Sequence, residues 1–320
     1  MKVGDMDLRD ATVDDAALVA DIDTEVHPGD PVDPQLERHW WGLATDDVAV
    51  RQIASLGGTP VGYTMFRHPQ WSKMPERFAR LNGELRPAAR TAQRLDALYA
   101  SLEDRARRDE ARRVTTWAWE YDALRIGMLA GRDYREERRE RFWELDLSKE
   151  RERIATMAAE SRERMRREGI RVLTWSEDSD PQRWEKLKRM SDEAESDVPT
   201  TVPHVAMESL DEWKKWFDSP GLRPDRIWIA RDGDDIVGIS QLAYPPVRGV
   251  VSTDWTGTAR KVRGRGVARA LKCETLMQAI ALGVDKVRTD NDSTNTPILH
   301  INETMGYRRR PDMVQYLKEL

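Results

Sequence analysis

The sequence predicts an α/β protein built of two similar halves. Three observations carry this reading. The chain has 320 residues, about twice an ordinary domain. The order of strands and helices in its first part recurs in its second. A strand, a glycine turn and a helix follow one another in the second half only.

In the first half, Leu8 to Thr12 alternates as a short strand, and Val13 to Glu25 is helical, with Asp14 and Asp15 in an acidic first turn. A loop with three prolines follows, then a Trp-bearing helix from Pro34 to Ala44. Val48 to Ser55 and Pro60 to Arg67 read as a hairpin turning at Gly57 and Gly58. After a poorly patterned stretch come a helix from about Ala88 to Glu110, a strand Arg113 to Trp119, a helix from Leu124 and a strand Arg141 to Leu147. Ser148 to Glu168 is highly charged, with Ile154, Met157, Ala158 and Met165 at helical spacing, and reads as a connecting helix.

The order then repeats. Strand Arg171 to Trp175, helix Pro181 to Ala194, a Pro-bearing loop and helix Leu210 to Phe217 lead into the strands Arg226 to Arg231, Ile236 to Tyr244 and Val250 to Thr258. Helix Val267 to Ala281, strand Lys286 to Asp290, helix Pro297 to Met305 and strand Met313 to Lys318 complete it. The expected units are residues 1–148, a connector 149–168 and residues 169–320, related by duplication.

Composition excludes several classes. No apolar run reaches the roughly 18 residues needed to span a bilayer, so no membrane partner is expected. The first nine residues lack the apolar core of a secretion signal, and a cytoplasmic location is the expectation. A single cysteine, Cys273, cannot form an internal disulfide, and the five histidines have no metal-ligand spacing, so no metal is expected. With 52 basic against 57 acidic residues the formal charge is −5, which disfavours nucleic acid as a partner and requires any anion site to be local. Nothing in the sequence specifies an oligomeric state.

Such a local site is present. After the strand ending near Thr258 come Arg263, Gly264, Arg265, Gly266, Val267 and Ala268, opening an amphipathic helix. Two glycines let a ligand approach the backbone, and the amides of a helix N-terminus point the same way as its dipole, which suits a pyrophosphate. Six cations fall between Arg260 and Lys272 with no acid among them.

This segment resembles the acetyl-CoA motif of the Gcn5-related N-acetyltransferase (GNAT) superfamily: Gln or Arg, two residues, Gly, one residue, then Gly or Ala. Arg263, Gly266 and Ala268 fill it. Downstream, the run from Thr289 to Asn291 and the positions Asn295, Pro297, Asn302, Gly306 and Tyr307 resemble that family's fifth strand, fourth helix and closing Gly-aromatic turn. The resemblance implies two tandem GNAT-like α/β domains, each a mixed, partly splayed sheet flanked by helices, with a degenerate first domain. It also implies a short acyl-CoA, acetyl-CoA foremost, as cofactor. The amides from Arg265 to Ala268 would hold its pyrophosphate, Trp255, Thr256, Gly257 and Thr258 would flank the thioester, and Asn295 and Asn302 would line the arm. In the first half, Arg90, Thr91, Ala92, Gln93 and Arg94 replace the open turn, and the Gln93 side chain would obstruct a phosphate.

Direct transfer needs an amine with a free lone pair, hence a base nearby. Asp254, nine positions before Arg263, stands where relatives often carry one. The tyrosine that many relatives use to protonate the departing thiolate is replaced by Asn302, which cannot donate as an acid, so Tyr307 becomes the candidate. Glu193, Asp197, His204 and Trp213, in the loop and second helix of the intact half, suit a cationic amine. The expected activity is therefore N-acetyl transfer to a small-molecule amine in a ternary complex. The alternatives are a carrier-protein donor, a protein lysine acceptor, or a CoA-sensing scaffold without turnover. Cys273, among Leu271, Leu276 and Met277, reads as core.

Overall fold

The computed structural model describes residues 1–43, 45–205 and 209–320. The first half runs β1 (Lys2–Val3), β2 (Met6–Asp10), α1 (Ala16–Val26), α2 (Pro34–Gly42), β3 (Val48–Leu56), β4 (Thr59–His68), β5 (Phe78–Leu85), α3 (Ala92–Arg108), β6 (Arg113–Trp119), α4 (Ala123–Gly131) and β7 (Arg135–Asp146). Helix α5 (Leu147–Arg167) connects it to β8 (Ile170–Thr174), α6 (Arg183–Glu195), α7 (Leu210–Lys214), β9 (Ile227–Asp232), β10 (Asp235–Ala243) and β11 (Val251–Thr258). The chain closes with α8 (Val267–Ala281), β12 (Lys286–Asp292), α9 (Thr296–Met305), β13 (Arg308–Arg309) and β14 (Met313–Glu319).

The expected order of elements is present in both halves, and β6 and α8 have the expected bounds. The expected end of α2 at Ala44 lies outside the described residues. The poorly patterned stretch conceals β5. Its pattern is obscured because Glu84 is buried, 1% exposed, against two arginines supplied from elsewhere in the fold. Strand β7 starts at Arg135, six residues before the expected strand. Its first positions are charged although they lie mid-sheet, and Arg138 and Arg139 are ion-paired there to Glu140 and Glu136.

The strands of both halves form one sheet, in the order β1-β2-β3-β4-β5-β6-β14-β7-β12-β11-β10-β9-β8. The halves exchange their last strands: β7 pairs with β12 of the second half, and β14 pairs with β6 of the first. Helix α5 makes the crossing possible. Its Ile154, Met157 and Ala158 pack with Cys273, Leu276 and Ala279 of α8, so Cys273 is core as expected, and the Leu147 amide donates to Asp285 O at 2.8 Å. Asp33 ties the halves at a second place. One oxygen caps α2 through the Gln35 and Leu36 amides, and the other accepts from the amides of Val247 and Arg248 at 2.6 and 2.9 Å.

Each half also contains a fork. The parallel pair β5/β6 is joined only from Phe78↔Arg113 to Arg80↔Thr115, and the pair β11/β12 only at Val251↔Val287 and Ser252↔Arg288. Beyond those points the strands diverge, leaving backbone edges without a strand partner. No helix among the described residues is long and apolar enough to cross a membrane.

Candidate active site

The glycine turn is built as its sequence requires. Gly264 and Gly266 have φ of +75° and +88°, left-handed values that glycine adopts without strain. Gly266 is the N-cap of α8, so the amides that follow it carry no intrahelical partner. The cations around the turn are less free than their sequence cluster suggests. Arg260 and Arg263 both pair with Asp197, Arg265 with Glu168, and Arg269 with Glu160. Arg164 of α5 also reaches the turn, donating to Gly264 O at 3.1 Å, and lies over Gly266. Nothing in the sequence around Arg164 singles it out, because its role follows from how α5 packs on α8.

The second-half fork opens beside this turn. On β12, Val287 and Asn291 face the helices, the latter accepting from Asn302 of α9 at 2.7 Å, so Asp290 faces the opposite side of the sheet. On β11, Gln241↔Trp255 is followed by Leu242↔Thr253, which leaves Asp254 as the extra residue of a bulge. Such a bulge re-aims a side chain. Asp254 turns into a cleft and accepts from Gln241 Nε2 at 2.6 Å. Surrounding protein raises its carboxyl above the usual range, and the Gln241 hydrogen bond opposes that rise.

Around the fork several buried polar atoms have no partner: Trp255 Nε1, Asn302 Oδ1 and Gln241 Oε1. Native proteins rarely leave such groups unpaired, and a ligand rich in amides and hydroxyls would satisfy them. That requirement, together with the open turn, fits the pantetheine and diphosphate of an acyl-CoA. Among the expected cofactor residues, Thr256 is bonded to Ser240 at 2.8 Å, the Trp255 indole lies against Gly257, and Asn295 occupies the N-cap position of α9 without a side-chain bond to the helix. Tyr307 is buried at 3% exposure after α9, and burial pushes its hydroxyl well up.

The cleft has a volume of about 700 Å³ and lies between the halves. Asp254, Trp255, Gln241, His204 and Trp213 line it from the second half, and Trp40, Arg67, Arg80 and Arg138 from the first half and β7. Trp40 and Trp216 meet across it with ring centroids 5.0 Å apart. His204 pairs with Glu195 at 3.2 Å, which raises its pKa. Glu193 and Asp197 instead point to the glycine turn, where Glu193 accepts from the Arg260 amide. Glu140, across from Asp292, is pushed up to about 7 by burial and by Asp290. The first-half wall is invisible in sequence because the halves face each other only after folding.

The first-half fork is filled. Arg125, 4% exposed, donates to Glu84 at 3.1 Å, to Asn82 at 2.7 Å and to Tyr99 OH. Arg90 joins Glu84 to Asp122, so the His27, Glu84 and Asp122 cluster is already charge-compensated. Gln93, expected to obstruct a phosphate, stands exposed in the first turn of α3, which Thr91 caps through the Arg94 amide at 3.3 Å. The guanidinium of Arg125 occupies the fork. Arg125→Met strips Glu84 of one buried partner and is expected to cost about 3 kcal/mol, read as a lower urea midpoint. Glu84→Gln in that background should restore part of the loss, and an unchanged midpoint would show the network to be dispensable.

The chain is similar along its length to several solved structures. A tandem GNAT protein from the clavulanic acid biosynthesis pathway, determined without acetyl-CoA, matches 98% of this chain and 98% of its own, with TM-score 0.74 and 14% identity. The chain has the tandem GNAT fold. A GCN5-related N-acetyltransferase from Sphaerobacter thermophilus matches 99% of this chain and 96% of its own, with TM-score 0.69 and 18% identity. The glucosamine N-acetyltransferase region of a fungal multi-domain β-N-acetylglucosaminidase gives TM-score 0.66 at 13% identity, over 97% of this chain and 38% of that one. No family sequence model and no curated protein sequence matches the chain. In this GNAT fold the second half has an open glycine turn and an open fork, whereas Arg125 fills the fork of the first half.

Proposed function

We propose that this chain is an N-acyltransferase that takes a short acyl group, acetyl foremost, from CoA and transfers it directly to a small-molecule amine. One observation supports this most: the second-half fork joins the glycine turn and α8 on one side of the sheet to a cleft on the other, and Asp254 stands at the junction. The acyl donor and the amine would thus meet from opposite sides of the sheet. Holding both in one complex supplies much of the rate through positioning.

The amides of Val267 and Ala268 would hold the diphosphate, with Arg164 and Arg263 beside them. Beyond Ser252 the free edge of β11, from Trp255 to Gly257, would offer an amide to the thioester oxygen, where negative charge grows as the amine attacks. Asp254 would take the proton from the incoming ammonium. The cleft, with tryptophans and both signs of charge on its walls, suits a small polar amine better than a folded protein surface. The residues 1–148, the connector 149–168 and the residues 169–320 would then act as support, brace and catalyst.

Thiol release from acetyl-CoA, measured with a panel of polyamines, aminoglycosides, amino acids and peptides, tests this reading. Turnover with at least one small amine is expected. Tight CoA binding without release across the panel would favour a sensing role instead.

A further inference from the structure

Lys272 has no role in the glycine turn or in the proposed work of Asp254. It lies on α8, only 2% exposed, with no carboxylate in ion-pairing distance among the described residues. Its ammonium sits 5.3 Å above the centre of the Tyr307 ring. An ammonium buried without a partner is costly, and a well-packed methionine or leucine would avoid that cost.

Its neighbours fix its place. Tyr307 lies beside Thr253, the first residue of β11 past the last pair with β12. Asp290, which attracts the ammonium from beyond hydrogen-bond reach, lies past the same point on β12, on the sheet face opposite the helices. An ammonium that sits on a ring beside one arm, and feels a carboxylate on the far face of the other, lies under the gap between the arms. Asn302, in the position where a proton donor was sought, is instead spent on Asn291.

We propose that Lys272 is the group that receives the sulfur of CoA. This rests on the acyl-CoA reading above. As the carbon–sulfur bond breaks, its electron pair stays on sulfur. The Lys272 Nζ proton then moves to that sulfur, giving the CoA thiol and a neutral lysine that regains a proton from solvent. The missing partner of the buried ammonium is thus the thiolate.

Burial pulls the ammonium down to about 8, while Cys273 on its own helix and Asp290 across the gap hold it up. A proton held at that value is available near neutral pH.

The test uses CoA itself, bound to the whole chain, with the thiolate followed by its ultraviolet absorbance as pH is raised. The bound thiol is expected to ionise at least about one pH unit below free CoA, since a nearby cation favours the anion. Lys272→Met should return it to the value of free CoA, and Lys272→Gln should do the same if the methionine variant fails to fold. Calorimetry on each variant confirms that CoA is bound. Equal ionisation in the wild type and both variants, with CoA bound, would overturn the assignment of Lys272 and leave the acyl-CoA reading standing. Stoichiometric acetylation of Lys272 by acetyl-CoA, mapped by mass spectrometry, would also overturn it, because the lysine would then be an acceptor. Absence of CoA binding to the wild type would overturn both.

Discussion

Gly266→Val weakens acetyl-CoA binding by at least about 30-fold, equivalent to about 2 kcal/mol. The wild-type residue has φ of +88°, where a β-branched side chain costs about 1–3 kcal/mol. A Cβ there would also approach the Arg164 guanidinium at 3.1 Å. That guanidinium is the end of a flexible side chain and can move aside, so the fold survives. The new side chain and the displaced arginine then stand where a diphosphate must approach the amides. Gly264→Ala is the graded control. Its φ is +75°, but no atom lies within 4 Å of the added Cβ, so the loss should be smaller. Calorimetric titration of both variants measures the difference, and wild-type affinity in Gly266→Val would remove this turn from the binding site.

Asp254→Asn lowers kcat/KM by about 10² to 10⁴-fold and leaves CoA affinity unchanged. The carboxylate must be deprotonated to accept the amine proton, so activity rises with pH through its pKa. Desolvation by the surrounding cleft raises that pKa, which moves the acidic limb of the wild-type profile above that of an ordinary aspartate. The asparagine variant should lose that limb. Gln241→Leu should shift the limb upward, because the hydrogen bond from Gln241 favours the charged form. A variant profile that keeps its shape would assign the proton to another group, with Asp290 and Glu140, both raised by desolvation, as the next candidates.

A stability measurement bears on Lys272 separately. Its folded pKa of about 8 lies below the ordinary 10.5, so between those values the unfolded chain holds a proton that the folded chain has released. Stability attributable to Lys272 therefore rises with pH across that window. Relative to Lys272→Met, the wild type should gain in melting temperature from pH 8 to pH 10.5. A constant difference would show that the ammonium is not desolvated as the structure has it.

Much of this was legible in the residues. Period and turn chemistry located α8 and β6, because both are regular, with apolar positions that meet their own half's core. The glycine turn was legible because left-handed backbone leaves a direct mark in sequence. Strand β5 was not, since Asn82 and Glu84 are polar residues turned inward to Arg125, and alternation presumes that buried means apolar. The exchange of β7 and β14 left no local signal, as a strand's pattern does not name its neighbour. Asp254 could be proposed from the resemblance, which puts a base at its place before Arg263, but its bulge depends on pairing with β10. The cation cluster from Arg260 to Lys272 misled in one respect, because Asp197, Glu168 and Glu160 come from α5, the turn after it and the loop after α6. Lys272, counted there among the six cations, is buried.

The asymmetry of the two forks is the central claim, and calorimetric titration of the full chain with acetyl-CoA tests it most directly. The expected result is one site per chain, abolished or strongly weakened by Gly266→Val and untouched by Gln93→Gly. Two sites per chain, or a single site that survives Gly266→Val, would contradict it.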